Sequence, residues 1–125
     1  MIVVSDASPL ITLAGVGQLH LLQALYGEVL VPSAVWDEVA HDERPGMQEI
    51  LSATWVRVVP VPQHSFLLAL QNDLDDGEAE ALALAAEVRA DVVILDERRW
   101  REVAVWMGFR VIGAAGVLVQ AKASG

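Results

Sequence analysis

Four acidic residues stand where the sequence pattern calls for apolar side chains. Asp6 closes the β-branched run that starts at residue 2, and Asp96 directly follows the apolar run 92–95. Glu38 and Glu78 each fall on the apolar stripe of a predicted helix. Carboxylate oxygens are the ligands that Mg²⁺ and Mn²⁺ prefer in proteins. The four residues therefore indicate a divalent-cation site.

Asp6 and Asp96 each follow a predicted strand, and these strands indicate where the two aspartates lie. Five short runs rich in β-branched residues, at 2–5, 29–31, 56–59, 92–95 and 110–112, alternate with longer helical patterns. Except for the third, which contains Arg57, they are nearly all apolar, as expected for strands covered on both faces. The pattern predicts a single α/β domain over residues 1–125, with helices on both sides of a central, mostly parallel sheet of about five strands. Ligands of such sheets collect beyond the carboxyl ends of the strands, where Asp6 and Asp96 lie.

Start and stop signals predict eight helical segments. Pro9 lies in the first turn of one, Pro45 begins another, and the turn at residues 75–77 opens the alanine-rich one. The others lie near residues 19–25, 33–39, 66–70, 97–107 and 114–123, and the alanine-rich helix covers about 78–89.

The helical spacing separates Glu38 and Glu78 from their acidic neighbours. Glu38 shares a face with Val35 and Val39, which predicts a core-facing position. Glu78 heads the apolar stripe of the alanine-rich helix, whereas Glu80 is expected to face solvent. One stripe-edge acid in a chain with 17 acidic residues is unremarkable. Two of them, together with two strand-end aspartates, favour a site.

The overall charge opposes broad contact with nucleic acid. The net charge is −9 and the isoelectric point is about 4.5, which is unfavourable for a protein that binds phosphates through a large basic face. Bound cations would remove part of this repulsion. Three of the few basic residues, Arg98, Arg99 and Arg101, follow Asp96 closely and form either a local phosphate-binding rim or a solvated helix face.

Other residue types narrow the chemistry. The chain has no cysteine, and its three histidines lack zinc-ligand spacing. Its apolar runs are too short to span a bilayer, so a cytoplasmic protein is expected. Four carboxylates around a divalent cation would suit hydrolysis of a phosphodiester bond by a metal-activated water, with no side-chain nucleophile. Trp36 and Trp106 are expected to pack against the protein, and Trp100 to be the exposed tryptophan.

Several segments together resemble the PIN-domain ribonucleases, in the branch of small toxins similar to the VapC type. They are VSDASPLI at 4–11, VP at 31–32 followed by VWDEV at 35–39, LDDGEAEA at 74–81, ILDERR at 94–99 and GAAGVL at 113–118. The resemblance covers nearly the whole length and implies a PIN-like α/β/α fold. Their order and spacing carry it, because no single segment is decisive.

The resemblance implies a Mg²⁺- or Mn²⁺-dependent endoribonuclease in which Asp6, Glu38, Glu78 and Asp96 match the acidic quartet of the family. It also implies that Ser8 supports the first aspartate and the water shell of the metal. Relatives usually pair with an antitoxin protein and commonly form homodimers. The third acid is open, since Asp75 or Asp76 could replace Glu78 in that role.

Alternative functions leave weaker traces in the sequence. A signalling receiver domain needs a lysine near its phosphoacceptor aspartate, and the only lysine here is Lys122. A haloacid-dehalogenase-type phosphatase needs a second aspartate where Ser8 stands, and the glycine-lysine pattern of a P-loop is missing. The stronger alternative is a non-catalytic PIN-like interaction module. Unpaired acids at core-facing positions are costly in a mere scaffold, which favours the nuclease.

Overall fold

The structure, a computed structural model, describes residues 1–124 and contains one five-stranded sheet. The strands are β1 (Val3–Ser5), β2 (Val29–Pro32), β3 (Val56–Val59), β4 (Val92–Ile94) and β5 (Arg110–Ile112). All neighbours pair in parallel, in the order β3-β2-β1-β4-β5. This confirms the predicted α/β/α class. It also places β1 and β4 side by side in the middle, with Val4 opposite Val93.

Eight helices connect the strands in the described part of the chain. They are α1 (Ala7–Gly15), α2 (His20–Tyr26), α3 (Ser33–Ala40), α4 (Met47–Ser52), α5 (Ser65–Gln71), α6 (Asp76–Val88), α7 (Arg98–Trp106) and α8 (Ala114–Ala123). Each predicted helical segment is present, with ends that differ by a few residues. None of the helices within residues 1–124 is long and apolar enough to cross a membrane.

Two hydrophobic clusters cover the two faces of the sheet. Val3, Val31 and Ile94 point to one side, where they pack with residues of α1, α2, α3, α4 and α8. Val4 and Val93 point to the other side, toward α5, α6 and α7. Alternate strand residues are thus buried on opposite faces, which explains why the strand sequences are continuously apolar.

The alanine-rich helix α6 begins earlier than the sequence pattern predicts. Asp75 is its N-cap and Asp76 its first residue, so residues 75–77 are the start of the helix and not a preceding turn. The reason is a capping box: Asp75 Oδ1 accepts a hydrogen bond from the Glu78 amide at 2.8 Å, and Glu78 Oε1 accepts one from the Asp75 amide at 3.3 Å. This cap fixes three acidic side chains next to the sheet.

Two of the three predicted tryptophan environments are wrong. Trp36 packs against the core as expected. Trp106 is 87% exposed, because it lies in the last turn of α7 on the side opposite Ala104, the buried residue of that helix. Trp100 is half-buried against the second hydrophobic cluster, and the guanidinium of Arg99 lies 4.9 Å above its ring.

Candidate active site

Asp6 and Asp96 lie at the same edge of the sheet, beyond the carboxyl ends of β1 and β4. The amide of Asp6 donates to the carbonyl of Ile94 at 3.0 Å, which extends the strand pairing up to the site. The hydroxyl of Ser5 is fully buried and donates to the Asp6 carbonyl at 2.9 Å. The backbone of Asp6 is thereby held in place, and the residue as a whole is only 6% exposed.

Three carboxylates converge on the backbone of Gly77, in the first turn of α6. A methyl group placed on Gly77 would lie 3.3 Å from Glu38 Oε1, 3.6 Å from Asp6 Oδ1 and 3.6 Å from Asp75 Oδ1. The glycine is buried, and an alanine methyl group would require Glu38 Oε1 to shift by a few tenths of an ångström while making ordinary contacts with the other two oxygens. The missing side chain therefore lets acids from β1, α3 and α6 approach one another.

The electrostatics of Asp6 reflect this crowding. Burial raises the pKa of Asp6 from 3.8 to about 7; the backbone amide of Ala7 opposes the rise, and the carboxylates of Glu78, Asp75 and Glu38 add to it. Burial also raises the pKa of Glu38, to which the charge of Asp75 adds. Burial raises the pKa of Glu78 as well; the Asp75 backbone amide opposes this rise and the Asp75 carboxylate adds to it. Desolvated acids that repel one another have the character of a site that is completed by a cation.

Glu38 is exposed, so the prediction of a core-facing side chain is wrong. With 3.6 residues per turn, Glu38 lies about 80° around α3 from the midpoint between Val35 and Val39, which form the buried ridge. That angle places it at the border of the core, above Gly77. An exposed glutamate has the freedom to adjust its rotamer toward a ligand.

Glu80 is half-buried and not solvent-facing as predicted. Its Oε1 accepts a hydrogen bond from the Ala34 amide at 3.2 Å, so α6 satisfies a free amide in the first turn of α3. This contact fixes the distance between the two helices that carry Glu38 and Glu78. The role of Glu80 is therefore to position the site.

Asp96 belongs to the same edge but is turned toward a different partner. Its Oδ1 accepts a hydrogen bond from the Ala114 amide at 2.7 Å, at the N-terminus of α8, where a negative charge is favoured. A methyl group on Gly113 would lie only 2.7 Å from this oxygen. The acids that raise the pKa of Asp6 are Glu38 of α3 and Asp75 and Glu78 at the start of α6. Asp96 is not among them.

The remaining predicted residues lie around this edge. Ser8 is exposed in the first turn of α1, close in sequence to Asp6. Asp76 accepts a long hydrogen bond from Gln71 at 3.4 Å. Together with Asp37, His41 and Glu38, it borders an open cavity of about 390 Å³ over Gly77.

The side chains as positioned do not form a closed metal cage. Within residues 1–124, no three acidic, histidine or cysteine side chains are arranged to hold one ion. The donor set fits a hard divalent cation nevertheless, because Asp6 and Glu38 oxygens approach one point and Glu38 is free to turn inward. Asp6, Glu38 and Glu78 would hold such an ion, with Asp96 at the adjacent position.

Four residues of this site escaped the sequence analysis as positioning groups. Ser5 is a polar residue inside an apolar strand, and that signal was available. Gly77 and Asp75 were visible as a turn-like motif, but capping and turn formation favour the same residue types. Nothing in the sequence indicated the contact of Glu80, since its hydrogen-bond partner Ala34 is 46 residues away along the chain.

Comparison with known proteins agrees with the fold. No curated protein matches the chain. The model of a family described as a PIN domain matches residues 2–125, which is nearly the whole length, and PIN domains are generally nucleases. By this match and by its parallel five-stranded sheet, the chain belongs to the PIN-domain family.

Proposed function

We propose that this protein is a divalent-metal-dependent endoribonuclease. The observation that supports the proposal best is the convergence of Asp6, Glu38 and Asp75 on Gly77, beyond the carboxyl end of a central strand. Carboxylates held this close repel one another, and a bound cation would relieve the repulsion. RNA is the substrate class because the family is one of nucleases with RNA-binding members.

The residues take distinct roles in the proposed reaction. Asp6, Glu38 and Glu78 hold the cation, and Glu78 is preferred to Asp75 because its carboxylate is the largest acidic contribution to the raised pKa of Asp6. Asp96, beyond the adjacent strand β4, is the fourth acid of the proposed set, and Ser8 supports the water shell near Asp6. A bound Mg²⁺ or Mn²⁺ supplies a water of lowered pKa and neutralises charge on the phosphate.

We propose further that the enzyme is the toxin of a toxin–antitoxin pair, that it forms a homodimer, and that it acts in the cytoplasm. Large apolar side chains remain exposed on three helices: Leu68 on α5, Trp106 on α7 and Val119 on α8. These side chains lie on both faces of the sheet and do not form one patch, so the support for protein partners is the resemblance of the sequence to the small toxin branch. The antitoxin and the second copy are the proposed partners.

Cleavage of total cellular RNA by the purified chain tests the nuclease. We expect cleavage with Mg²⁺ or Mn²⁺ and none with EDTA. Asp6→Ala and Asp96→Ala should each lower the rate at least about 100-fold, because they remove ligand or adjacent carboxylates. Gly77→Ala should have a smaller effect in the same direction, since its methyl group makes a tight contact with Glu38 Oε1 only.

Glu87→Ala is the matched control, because Glu87 is an exposed acid on α6 far from Gly77. It should cleave like the wild type. Circular dichroism should show that all variants are folded. Retained cleavage in both aspartate variants would exclude the nuclease, and absence of any cleavage with either metal would favour the alternative, a non-catalytic interaction module.

A further inference from the structure

A second cavity lies beside the candidate active site, between α7 and the edge strand β5. It has a volume of about 520 Å³ and is lined by Arg98, Arg101, Glu102 and Val105 of α7 and by Val111 of β5. The four helix residues follow the i, i+3, i+4, i+7 pattern and share one face. Its size is that of pockets that hold small organic groups.

The three arginines of α7 are not equivalent. Arg98 and Arg101 face this cavity, whereas Arg99 lies over the ring of Trp100 at 4.9 Å. Within residues 1–124, no carboxylate lies within 4.0 Å of the Arg101 guanidinium. Two cationic side chains therefore border one apolar hollow on a protein whose net charge is −9.

Arg101 connects the cavity with the acidic edge of the sheet. The position that a methyl group on Gly113 would occupy lies 2.7 Å from Asp96 Oδ1 and 3.7 Å from Arg101 Nη1. The guanidinium and the carboxylate thus border the same small space. A polymer bound at Asp96 would meet Arg101 within its next unit.

We propose that this cavity binds one unpaired nucleotide of a single-stranded RNA, adjacent to the phosphodiester bond that is cut. The inference rests on the proposed nuclease function. Arg98 and Arg101 contact the flanking phosphates, for which the guanidinium geometry is suited. The base lies against Val105 and Val111, which an unpaired base can contact with its face, whereas a base within a duplex is stacked on its neighbours.

The ion pair at the mouth of the cavity does not block this binding. Arg98 Nε lies 4.0 Å from Glu102 Oε1, and the two side chains are 93% and 75% exposed. Such a long, hydrated pair contributes little, so a phosphate can replace the carboxylate as the partner of Arg98. Glu102 then opposes RNA binding mildly, through its charge.

Binding of a labelled, mixed-sequence single-stranded RNA of about 12 nucleotides, within the length that strand-binding folds cover, tests the proposal. Fluorescence anisotropy is measured in an Asp6→Asn background in EDTA, so that the readout depends neither on cleavage nor on a bound cation. Adding Arg98→Ala or Arg101→Ala should raise Kd about five- to tenfold. Adding Glu102→Gln should lower Kd about twofold.

Two arginines serve as matched controls for the loss of positive charge. Arg99→Ala removes the neighbouring charge that lies on Trp100, and Arg57→Ala removes an exposed charge on β3, at the opposite edge of the sheet. Both should leave Kd within about twofold of the background. An RNA duplex of the same sequence should compete at least about tenfold less well than the single strand.

The outcomes separate this inference from the proposed function. Equal Kd values for all variants, as expected if the cavity serves a protein partner, would overturn the nucleotide site even if the wild type cleaves RNA. Equal losses in Arg99→Ala and Arg57→Ala, or equal competition by the duplex, would overturn it as well. Absence of cleavage by the wild type, with the Kd pattern intact, would overturn only the nuclease.

Discussion

Asp6 carries the largest electrostatic strain among the acids of the site. Its carboxyl group is buried, faces three other acids and has a pKa raised to about 7. In the unfolded chain the same group is solvated, and its pKa returns to 3.8. Between these two values the folded state binds a proton that the unfolded state releases. Ionisation of Asp6 therefore lowers stability whenever no cation is bound.

The free energy of unfolding should fall as pH rises through this window. In EDTA, we expect the wild type to lose at most about 4 kcal/mol between pH 4 and pH 8, from the 1.36 kcal/mol that each pKa unit represents. Asp6→Asn cannot ionise, so its stability should depend less on pH and exceed that of the wild type at pH 8. Urea denaturation at a series of pH values measures both.

Asp73→Asn is the matched control, because Asp73 is an exposed aspartate between α5 and α6. This variant also replaces an aspartate by an asparagine, but at an exposed position. Its stability should therefore follow the wild-type pH dependence. A wild type and an Asp6→Asn variant with parallel curves would contradict the raised pKa of Asp6.

At this scale the sequence predicted Asp6 and Asp96 by their place at strand ends, because strand ends are set by local pattern. It could not predict that Asp96 bonds to Ala114, which depends on where α8 packs. It also placed Glu38 on the core side, because helical periodicity does not resolve a residue at the border of a buried ridge.

The ends of two helices are followed by residues with a positive φ angle, a conformation that is strained for residues with a Cβ atom. The C-cap residue that follows α6 is Arg89, whose φ is 53°, and it is the only non-glycine residue with a positive φ among residues 1–124. α7 is followed by Gly108 with a φ of 96°. The left-handed region favours glycine at such ends, since a Cβ atom is strained there. Nothing lies within 4 Å of a Cβ placed on Gly108, so the backbone alone decides its effect.

Exchange of these two residue types should have opposite effects on stability. We expect Arg89→Gly to raise the free energy of unfolding by about 0.5 kcal/mol, because relief of strain exceeds the added entropy of the unfolded chain. Gly108→Ala should lower it by about 1 kcal/mol. Chemical denaturation at neutral pH measures both values.

Gly15→Ala provides the comparison for the glycine variant, since Gly15 is exposed, has open space around it and has no positive φ. It should be neutral or stabilising. Equal effects of the two alanine substitutions would mean that the backbone conformation at Gly108 has no energetic weight.

The helices and strands were the features of this protein that the sequence predicted best. β3, β5 and α8 have the predicted bounds, because apolar runs and flanking glycines or prolines mark them locally. The start of α6 was missed by two residues. Its Asp75–Glu78 capping box consists of residues that are equally common in turns, and only the packing of α6 against α3 decides between the two.

The whole molecule is strongly acidic, and charge repulsion should limit its stability without salt. Net charge of −9 on 125 residues favours the expanded chain. Monovalent salt should relieve this repulsion by screening, whereas Mg²⁺ or Mn²⁺ should add a specific effect at the carboxylate site. The two contributions can be separated because they act at different concentrations.

We expect Mn²⁺ at tenfold its Kd to raise the free energy of unfolding by about 1.4 kcal/mol beyond a NaCl solution of equal ionic strength. In a 125-residue chain this corresponds to a Tm shift of about 5 °C. Asp6→Asn should keep the response to NaCl and lose the additional response to Mn²⁺. Thermal melts in metal-free buffer with each salt measure these shifts. Identical Tm values in Mn²⁺ and NaCl would argue against a cation site in the folded protein.

The order of the strands also governs how copies of this protein can meet. β3 and β5 are the two outer strands, and each carries an exposed arginine, Arg57 and Arg110. Positive charges on outer strands discourage the continuation of a sheet into a neighbouring molecule, which is a common route to aggregation. Two of the eight basic residues are thus placed where two sheets would otherwise merge. A homodimer of this chain should consequently form through its helices.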